Sequence, residues 1–511
     1  MKTPTLSDET PPEESIRKRA MAASGWIAIR RPAMMIVQLG RNIVLTRLLF
    51  PEAFGLMALV AVVMQGMQML TDVGINASVI RSERTDQAFM RTAWTLQVLR
   101  GLLLTALCAI FAEPLAYAIA GPAKAQQLAG LLPLASFVLA IGGFRSANHI
   151  ASNRDLKIGR LTIIHTFTAI ASLVITVGLA AAGMGVLALV WGNLANAVIG
   201  VGIEFLLLKG VTHRFELEGA AVREQMGLGT WIFLSTMLTF GANQIDSVML
   251  GRLVSLEMIG FYSIAFVLST QPKELAFRFA TSVLFPAISE KARKSGGDFR
   301  GAFHKSRAVL LGASSFIVVG VAIFGPLFFE LLYDPRYEPS GWMSRWLCIP
   351  VWAMILFGTK DRALITLGAG RYLAASNAVR LVGSALGVYL GHKFAGLPGL
   401  IVGLSIGSFL GTGVVTLGLV KAGLTDLRND FVFSGWTLVA SIVGILAIEG
   451  VNQIPTLSNA AHIGLSIALG AVVLAVHGYT LVLALGAMPH VRKVLGRFGL
   501  ARVAGALPGR S

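Results

Sequence analysis

The chain has 511 residues, of which 55% are hydrophobic and 14% charged, with 56 Gly and 2 Cys. Its mean hydropathy is +0.72. Soluble domains carry about 25% charged residues, so this composition excludes a soluble enzyme, a disordered tail protein and a disulfide scaffold. It indicates a membrane protein. The 43 Lys and Arg against 26 Asp and Glu leave a net charge of +17. In a membrane chain that excess reports basic cytoplasmic loops beside anionic lipid, not a nucleic-acid partner.

Residues 1–23 are polar and Pro-rich, lack the apolar core of a secretory signal, and are expected to form a cytoplasmic tail. About fourteen apolar runs then follow, at 24–48, 53–80, 89–112, 128–148, 159–182, 185–208, 227–250, 257–285, 304–330, 341–367, 371–393, 396–420, 433–451 and 459–487. Each is near the roughly 20 residues a bilayer-crossing helix needs. Their continuity predicts helices, not the alternating ten-residue strands of a barrel. The abundant glycines suit close helix packing. Pro32, Pro133, Pro272 and Pro350 fall inside runs and are expected to kink or break them. With the N-terminus inside, the cytoplasmic segments hold 29 Lys and Arg, and the opposite loops hold four, Lys124, Arg252, Arg336 and Lys393. That asymmetry fits the positive-inside rule and places both termini, including the basic 488–511 tail, in the cytoplasm.

The outer loops, the longest around 113–127 and 330–341, are too short for a catalytic domain, and no G-x-x-x-x-G-K-[ST] motif is present. An enzyme and an ATP hydrolase are therefore not expected. A membrane polysaccharide polymerase would need a sizeable outer loop, and a membrane scaffold would leave the embedded charges unexplained. Cys108 and Cys348 lie in apolar runs and read as small hydrophobes. No metal site and no cofactor are expected.

The chain contains an internal repeat. Leu45-Thr46-Arg47-Leu48-Leu49-Phe50-Pro51-Glu52-Ala53-Phe54-Gly55-Leu56 and Leu250-Gly251-Arg252-Leu253-Val254-Ser255-Leu256-Glu257-Met258-Ile259-Gly260-Phe261 share L-x-R-L-x-x-x-E-x-x-G-[LF] at an offset of 205, and Trp26 matches Trp231. Parallel repeats of this kind build transporters from two related halves. The expected organisation is a 24–208 N-lobe, a 209–226 cytoplasmic linker, a 227–420 C-lobe, and two extra helices with their preceding loop at 421–487.

The first of these segments, together with Thr71-Asp72-Val73-Gly74-Ile75-Asn76-Ala77-Ser78-Val79-Ile80, resembles the opening of Wzx-type polysaccharide flippases. These form the polysaccharide transporter family of the multidrug/oligosaccharidyl-lipid/polysaccharide exporter superfamily. Asn153 to Arg160, Gly183 to Gly192 and Phe285-Pro286-Ala287-Ile288-Ser289 resemble later loops and hairpins of that family. Phe50 stands where the commonest pattern has Gly. The resemblance implies an all-α integral membrane fold with two six-helix lobes around a central cavity, plus two C-terminal helices. It implies movement of a polyprenyl-diphosphate-linked oligosaccharide across the bacterial cytoplasmic membrane by alternating access, for exopolysaccharide, capsule or O-antigen synthesis. Membrane lipids and a polysaccharide polymerase with its co-polymerase are the further partners implied.

Ionisable groups inside spans are costly and usually face a cavity or a partner. Arg30, Arg31, Arg47, Arg145 and Arg345 lie near span ends, where snorkelling to headgroups explains them. Arg41, Arg100 and Arg380 lie nearer mid-span, and either line a hydrated cavity or pair between helices. Lys273, Glu274 and Arg278 cluster after Pro272, with Glu274 and Arg278 spaced for a helical pair and Lys273 on another side. The candidate substrate-binding set is Arg41, Arg100, Lys273, Arg278 and Arg380, because guanidinium forks bind phosphate oxygens bidentately. Asp72, Asp246 and Glu274 are candidates for ion coupling, with a salt bridge to a neighbouring Arg or a bond to backbone as the alternative for both aspartates. Glu204 completes the embedded acids, and His165 and His477 are expected to be packing residues. A cationic-drug exporter should favour acidic over basic cavity residues, the reverse of this balance. A peptidoglycan-precursor flippase handles a diphosphate lipid too and stays open as an alternative.

Overall fold

The structure, a computed structural model, describes residues 34–70, 78–79, 82, 84, 86–154, 158–208, 210–226, 229–279, 299–367, 369–424, 426–454 and 458–486. Every regular element among these residues is helical. Nine of the described helices are long and apolar enough to cross a membrane. The chain is thus an all-α, multi-pass membrane protein. Trp26, the 1–23 and 488–511 tails, Arg30, Arg31 and Pro32, and the Phe285 to Ser289 segment lie outside the described residues, as does the side chain of Trp231.

Two compact units are present, Met1–Leu49 with Val60–Thr236, and Phe50–Leu59 with Met237–Ser511. The first contains helix α1 at 34–48 and the later turns of α2, Pro51–Leu70. It continues through α3 (Gln87–Ile110), α4 (Ala112–Ala120), α5 (Pro122–Gly143), α6 (Ala147–Arg154), α7 (Ile158–Ala181), α8 (Val186–Leu207) and α9 (Gly219–Met226). The Asp86 side chain caps α3 by accepting from Phe89 N at 3.1 Å. α3 and α5 approach through glycine. A methyl on Gly101 would stand 2.6 Å from the Leu139 carbonyl, and one on Gly143 2.9 Å from the Gln97 carbonyl. Such small-residue crossings set helix separation where lipid offers no hydrophobic drive.

One stretch of this unit differs from expectation. Residues 113–127, expected to be an outer loop, are helical, forming most of α4 and the start of α5. Glu113 and Pro114 disguise α4, but Ala112, Ala116 and Ala120 form a buried stripe at a four-residue spacing. Residues 210–226 are stitched to α3 and to the segment just before it. Glu216 N and Glu218 N donate to Thr95 and Thr92 hydroxyls at 3.1 Å each, Arg91 pairs with Glu216 at 3.0 Å, and Arg84 pairs with Glu218 at 2.8 Å. His213 Nε2 accepts from Ala147 N at 3.2 Å and contacts the Ser146 hydroxyl at 3.1 Å, its ring edge-on to Trp94.

The second unit holds the start of α2, most of α10 (Gly229–Leu253), α11 (Leu256–Ser269), α12 (Gln271–Phe279), α13 (Phe299–Leu332), α14 (Pro339–Gly358), α15 (Asp361–Thr366), α16 (Gly370–Lys421), α17 (Leu427–Asn452) and α18 (Asn459–Gly486). The expected 257–285 span breaks at Thr270, just before Pro272, whose missing N–H suits only the first turn of a new helix. α16 is two antiparallel helices joined at Ala395 and Gly396. Gly396 has φ +60°, a conformation that glycine tolerates and other residues resist. The arms then zip together through Gly387 against Gly403 and Gly391 against Gly399, where any methyl would lie within 2.0 to 2.3 Å of a facing carbonyl oxygen. This four-residue spacing is the small-x-x-x-small pattern.

The repeat motif also has a structural partner. Gly55, one turn into α2, abuts the backbone at Leu256, and Gly260, one turn into α11, abuts the backbone at Pro51. Tyr337 is fully buried beside this crossing, edge-on to Phe54 at 5.8 Å and to Phe261 at 5.9 Å.

A buried ionic network binds α13, the α14–α15 turn and α17. Arg307, fully buried, donates to Asp426 at 2.5 Å, to the Thr359 hydroxyl at 3.1 Å and to Asp430, which also pairs with Lys360. Two cations face two carboxylates, so the buried charge is compensated. α17 and α18 attach to α13 through the Ser315 hydroxyl, which meets the Thr437 hydroxyl at 2.6 Å and His477 Nε2 at 2.9 Å. His477 thus serves packing through a polar link.

Candidate substrate-binding site

The second unit gathers three of the predicted ionisable residues. Asp246 on α10 is 6% exposed and accepts a hydrogen bond from the Tyr262 hydroxyl on α11 at 2.9 Å and from Ser247 at 3.4 Å. Lys273 on α12 and Arg380 on α16 both interact electrostatically with it. Arg380 is 5% exposed. One of its terminal nitrogens donates to the Ala242 carbonyl at 3.2 Å and to Asn243 Oδ1 at 2.8 Å, and its guanidinium lies 4.7 Å from the Phe357 ring centroid. These partners are neutral. Among the described residues no carboxylate comes within 4 Å of Arg380. Asn377 reinforces the α16–α10 contact by donating to Thr239 at 3.3 Å.

A glycine makes room for Arg380. A methyl on Gly411, on the second arm of α16, would stand 2.3 Å from Arg380 Cγ. The guanidinium's position therefore depends on Gly411 as well as on Asn243 and Phe357. Sequence reasoning passed over all three. Asn243 lies three residues before Asp246, on the same side of α10, which is the one local signal available. Phe357 and Gly411 are brought in by helix packing that periodicity does not report.

Lys273 is expected to lack a helical partner, yet it stands 3.9 Å from Glu274. The Lys273 side chain is mostly covered, whereas that of Glu274 is 45% exposed. The Arg278 side chain and Asp72 lie outside the described residues.

The other two predicted cations belong to the first unit. Arg41 on α1 has a buried Nε with no hydrogen-bond partner among the described residues. Arg100 on α3 donates to the Gln68 carbonyl in the last turn of α2. A cation at a helix C-terminus satisfies an orphan carbonyl and the negative end of the helix dipole, so Arg100 has a structural task. Of the end-of-span residues, Arg345 pairs with Glu449 at 2.7 Å, and Arg145 with the buried Glu204 at 2.8 Å. Neither is simply reaching for headgroups.

The arrangement in the second unit offers one buried and one half-buried cation, Arg380 and Lys273, beside one hydrogen-bonded carboxylate. Charge and directed N–H donors of this kind are chemically suited to an anion.

Comparison with known proteins matches residues 44–341 to the family described as "Polysaccharide biosynthesis protein". The chain belongs to this family. Among its relatives is the amylovoran biosynthesis protein AmsL of Erwinia amylovora, 27% identical over 267 residues, which are 52% of this chain and 64% of that one. This match thus spans just under two thirds of AmsL. The lipopolysaccharide biosynthesis protein WzxC of Escherichia coli is 21% identical over 452 residues, 85% of this chain and 89% of the relative. Among solved structures, the lipid II flippase MurJ in an inward closed conformation superposes with a TM-score of 0.66 at 13% identity, covering 90% of this chain and 99% of that one. An inward-facing multidrug transporter of the MATE family gives 0.59 at 15% identity, covering 78% and 98%. The polysaccharide biosynthesis family member described here therefore shares the fold of these two membrane proteins.

Proposed function

We propose that this protein is a flippase for polyprenyl-diphosphate-linked oligosaccharide repeat units, acting at the bacterial cytoplasmic membrane in exopolysaccharide, capsule or O-antigen synthesis. Both termini lie in the cytoplasm in this reading. Residues 24–208 and 227–420 are its two lobes, 209–226 the linker between them, and 421–487 the two extra helices. The lipid tail stays in the bilayer while sugar and diphosphate pass through a cationic interior by alternating access.

The observation that carries the proposal is Arg380. It is buried on a helix long and apolar enough to cross a membrane, and its hydrogen bonds go to neutral groups. Asp361 and Asp246 act on it without a direct ion pair; a buried cation so placed is expensive unless its charge is used, and a diphosphate would use it. The names of AmsL, an amylovoran biosynthesis protein, and WzxC, a lipopolysaccharide biosynthesis protein, support the same substrate class.

The test is deletion of the gene followed by extraction of membrane lipids. The expected result is accumulation of a polyprenyl-diphosphate oligosaccharide on the cytoplasmic side with loss of surface polysaccharide. Complementation by Arg380→Glu should fail while the protein reaches normal abundance. Accumulation of peptidoglycan precursor instead, or unaltered lipid-linked sugars, would overturn the proposal.

A further inference from the structure

Within the first unit, three helices bring His149 (α6), His165 (α7) and Glu204 (α8) together. One potential ligand atom from each lies within 4.8 Å of the others. The two imidazole rings stack at 5.6 Å. Glu204 is fully buried, yet its Oε2 has no hydrogen-bond partner among the described residues. His149 Nδ1 stands 2.9 Å from Glu204 Oε1 but is misaligned for a hydrogen bond. A buried carboxylate oxygen left unsatisfied costs free energy, and most native structures avoid it. Two nitrogen lone pairs and a carboxylate converging in this way describe a ligand set short of its ion.

Arg145 occupies the same space. Its Nε donates to Glu204 Oε1 at 2.8 Å, and its terminal Nη2 stands 3.2 Å from His165 Nε2. Arginine only donates, so His165 Nε2 presents its lone pair toward the cluster, as a metal ligand requires. The Arg145 side chain is 41% exposed and has room to withdraw. It therefore touches two of the three ligand residues as a removable counter-ion.

We propose that His149, His165 and Glu204 form a binding site for a borderline-soft divalent cation of the zinc class, and that Arg145 holds the site in the ion's absence. Two imidazoles and one carboxylate select zinc-like ions over calcium or magnesium, which take oxygen ligands. Three protein ligands leave one coordination position for water or an anion. Ion binding and the Arg145–Glu204 pair exclude one another, so loading the site releases a guanidinium at the unit's surface. This inference does not depend on which substrate the protein moves.

The experiment uses tag-free, full-length protein in lipid nanodiscs, stripped with a chelator and titrated with cobalt and then zinc. One equivalent of cobalt should give visible d–d absorption that zinc bleaches. Glu204→Gln and His149→Ala should each weaken zinc binding about 100-fold or more, at least as much as loss of a supporting residue does. His165→Ala leaves the Arg145–Glu204 pair intact, and should weaken binding without loss of the elution profile. Arg145→Gln should tighten zinc binding several-fold. Wild-type protein without stoichiometric cobalt absorption would overturn the proposal, as would ligand variants that bind zinc as tightly as wild type. Weaker binding in Arg145→Gln would overturn the place-holder role.

Discussion

Gly55 and Gly260 occupy the same position of a repeated motif, and each fits against the backbone of the other copy. A methyl on Gly55 would stand 2.0 Å from the Leu256 carbonyl oxygen, and one on Gly260 1.9 Å from the Pro51 carbonyl oxygen. Pro51 and Leu256 are themselves equivalent at the offset of 205. The two copies thus meet in a reciprocal contact, like the self-complementary patches of a two-fold dimer. Conservation of this spacing within the chain has a steric cause, since no side chain fits at either glycine.

Substitution there should be costly. Gly55→Val and Gly260→Val should each destabilise the protein by about 1–3 kcal/mol, the usual range for forcing atoms into a filled interface. Gly40→Ala is the control, because nothing lies within 4 Å of its added methyl. Thermal unfolding in a single detergent checks all three, and Gly40→Ala should match or slightly exceed wild type.

Arg380 should matter for substrate and much less for folding. Loss of a charge-assisted hydrogen bond is worth about 1.5–3 kcal/mol, so Arg380→Ala should reduce transport or substrate affinity by roughly 10- to 100-fold. Gly411→Leu should reproduce much of this loss by displacing the arginine stem. Polysaccharide export normalised to membrane abundance measures both. Arg41→Glu should also reduce export, whereas Arg100→Ala should lower thermal stability because it caps α2.

The Arg307 network should behave in the opposite way. Arg307→Met leaves Asp426 and Asp430 buried with less positive charge and should cost about 3–5 kcal/mol. Replacing both aspartates by asparagine as well should recover part of that loss, and a thermal-unfolding comparison of single and triple variants checks it.

Residues 210–226 should loosen in acid. Burial holds the His213 imidazole below its ordinary value, and its Nε2 is needed as an acceptor for Ala147 N. A histidine whose folded value is depressed is fully stabilising when neutral, above its unfolded value of about 6.5. The docking it supports should weaken as pH falls from there through the folded value. Asp86 keeps its stabilising charge through this window and loses it only at lower pH, since the hydrogen bond from Arg84 holds its carboxyl below the ordinary range. Hydrogen exchange of residues 210–226 across this pH window should rise in wild type and be less pH-dependent in His213→Gln.

Much of the fold is legible in residue patterns. The break between 393 and 396 coincides with the Ala395–Gly396 bend, and Pro272 marks the break after Thr270. Both follow from backbone chemistry acting within a few residues. Pairings across long sequence distances are not legible this way. Arg145 looks like a headgroup-seeking residue until helix packing brings Glu204 to it, 59 positions on. Asp426 and Asp430 look like loop charges until Arg307 meets them from α13. Even Arg380, picked out by its depth, discloses nothing in sequence of the glycine and phenylalanine that aim it.

The stitching of residues 210–226 along α3 has a practical corollary for anyone dividing or decorating this protein. Chain length there is not slack, so splitting the polypeptide or grafting a reporter into 211–218 would tear polar seams from both sides at once. The Gly183–Gly185 turn, with positive φ at both glycines and open space around each, is the place for an epitope or a fluorescent fusion.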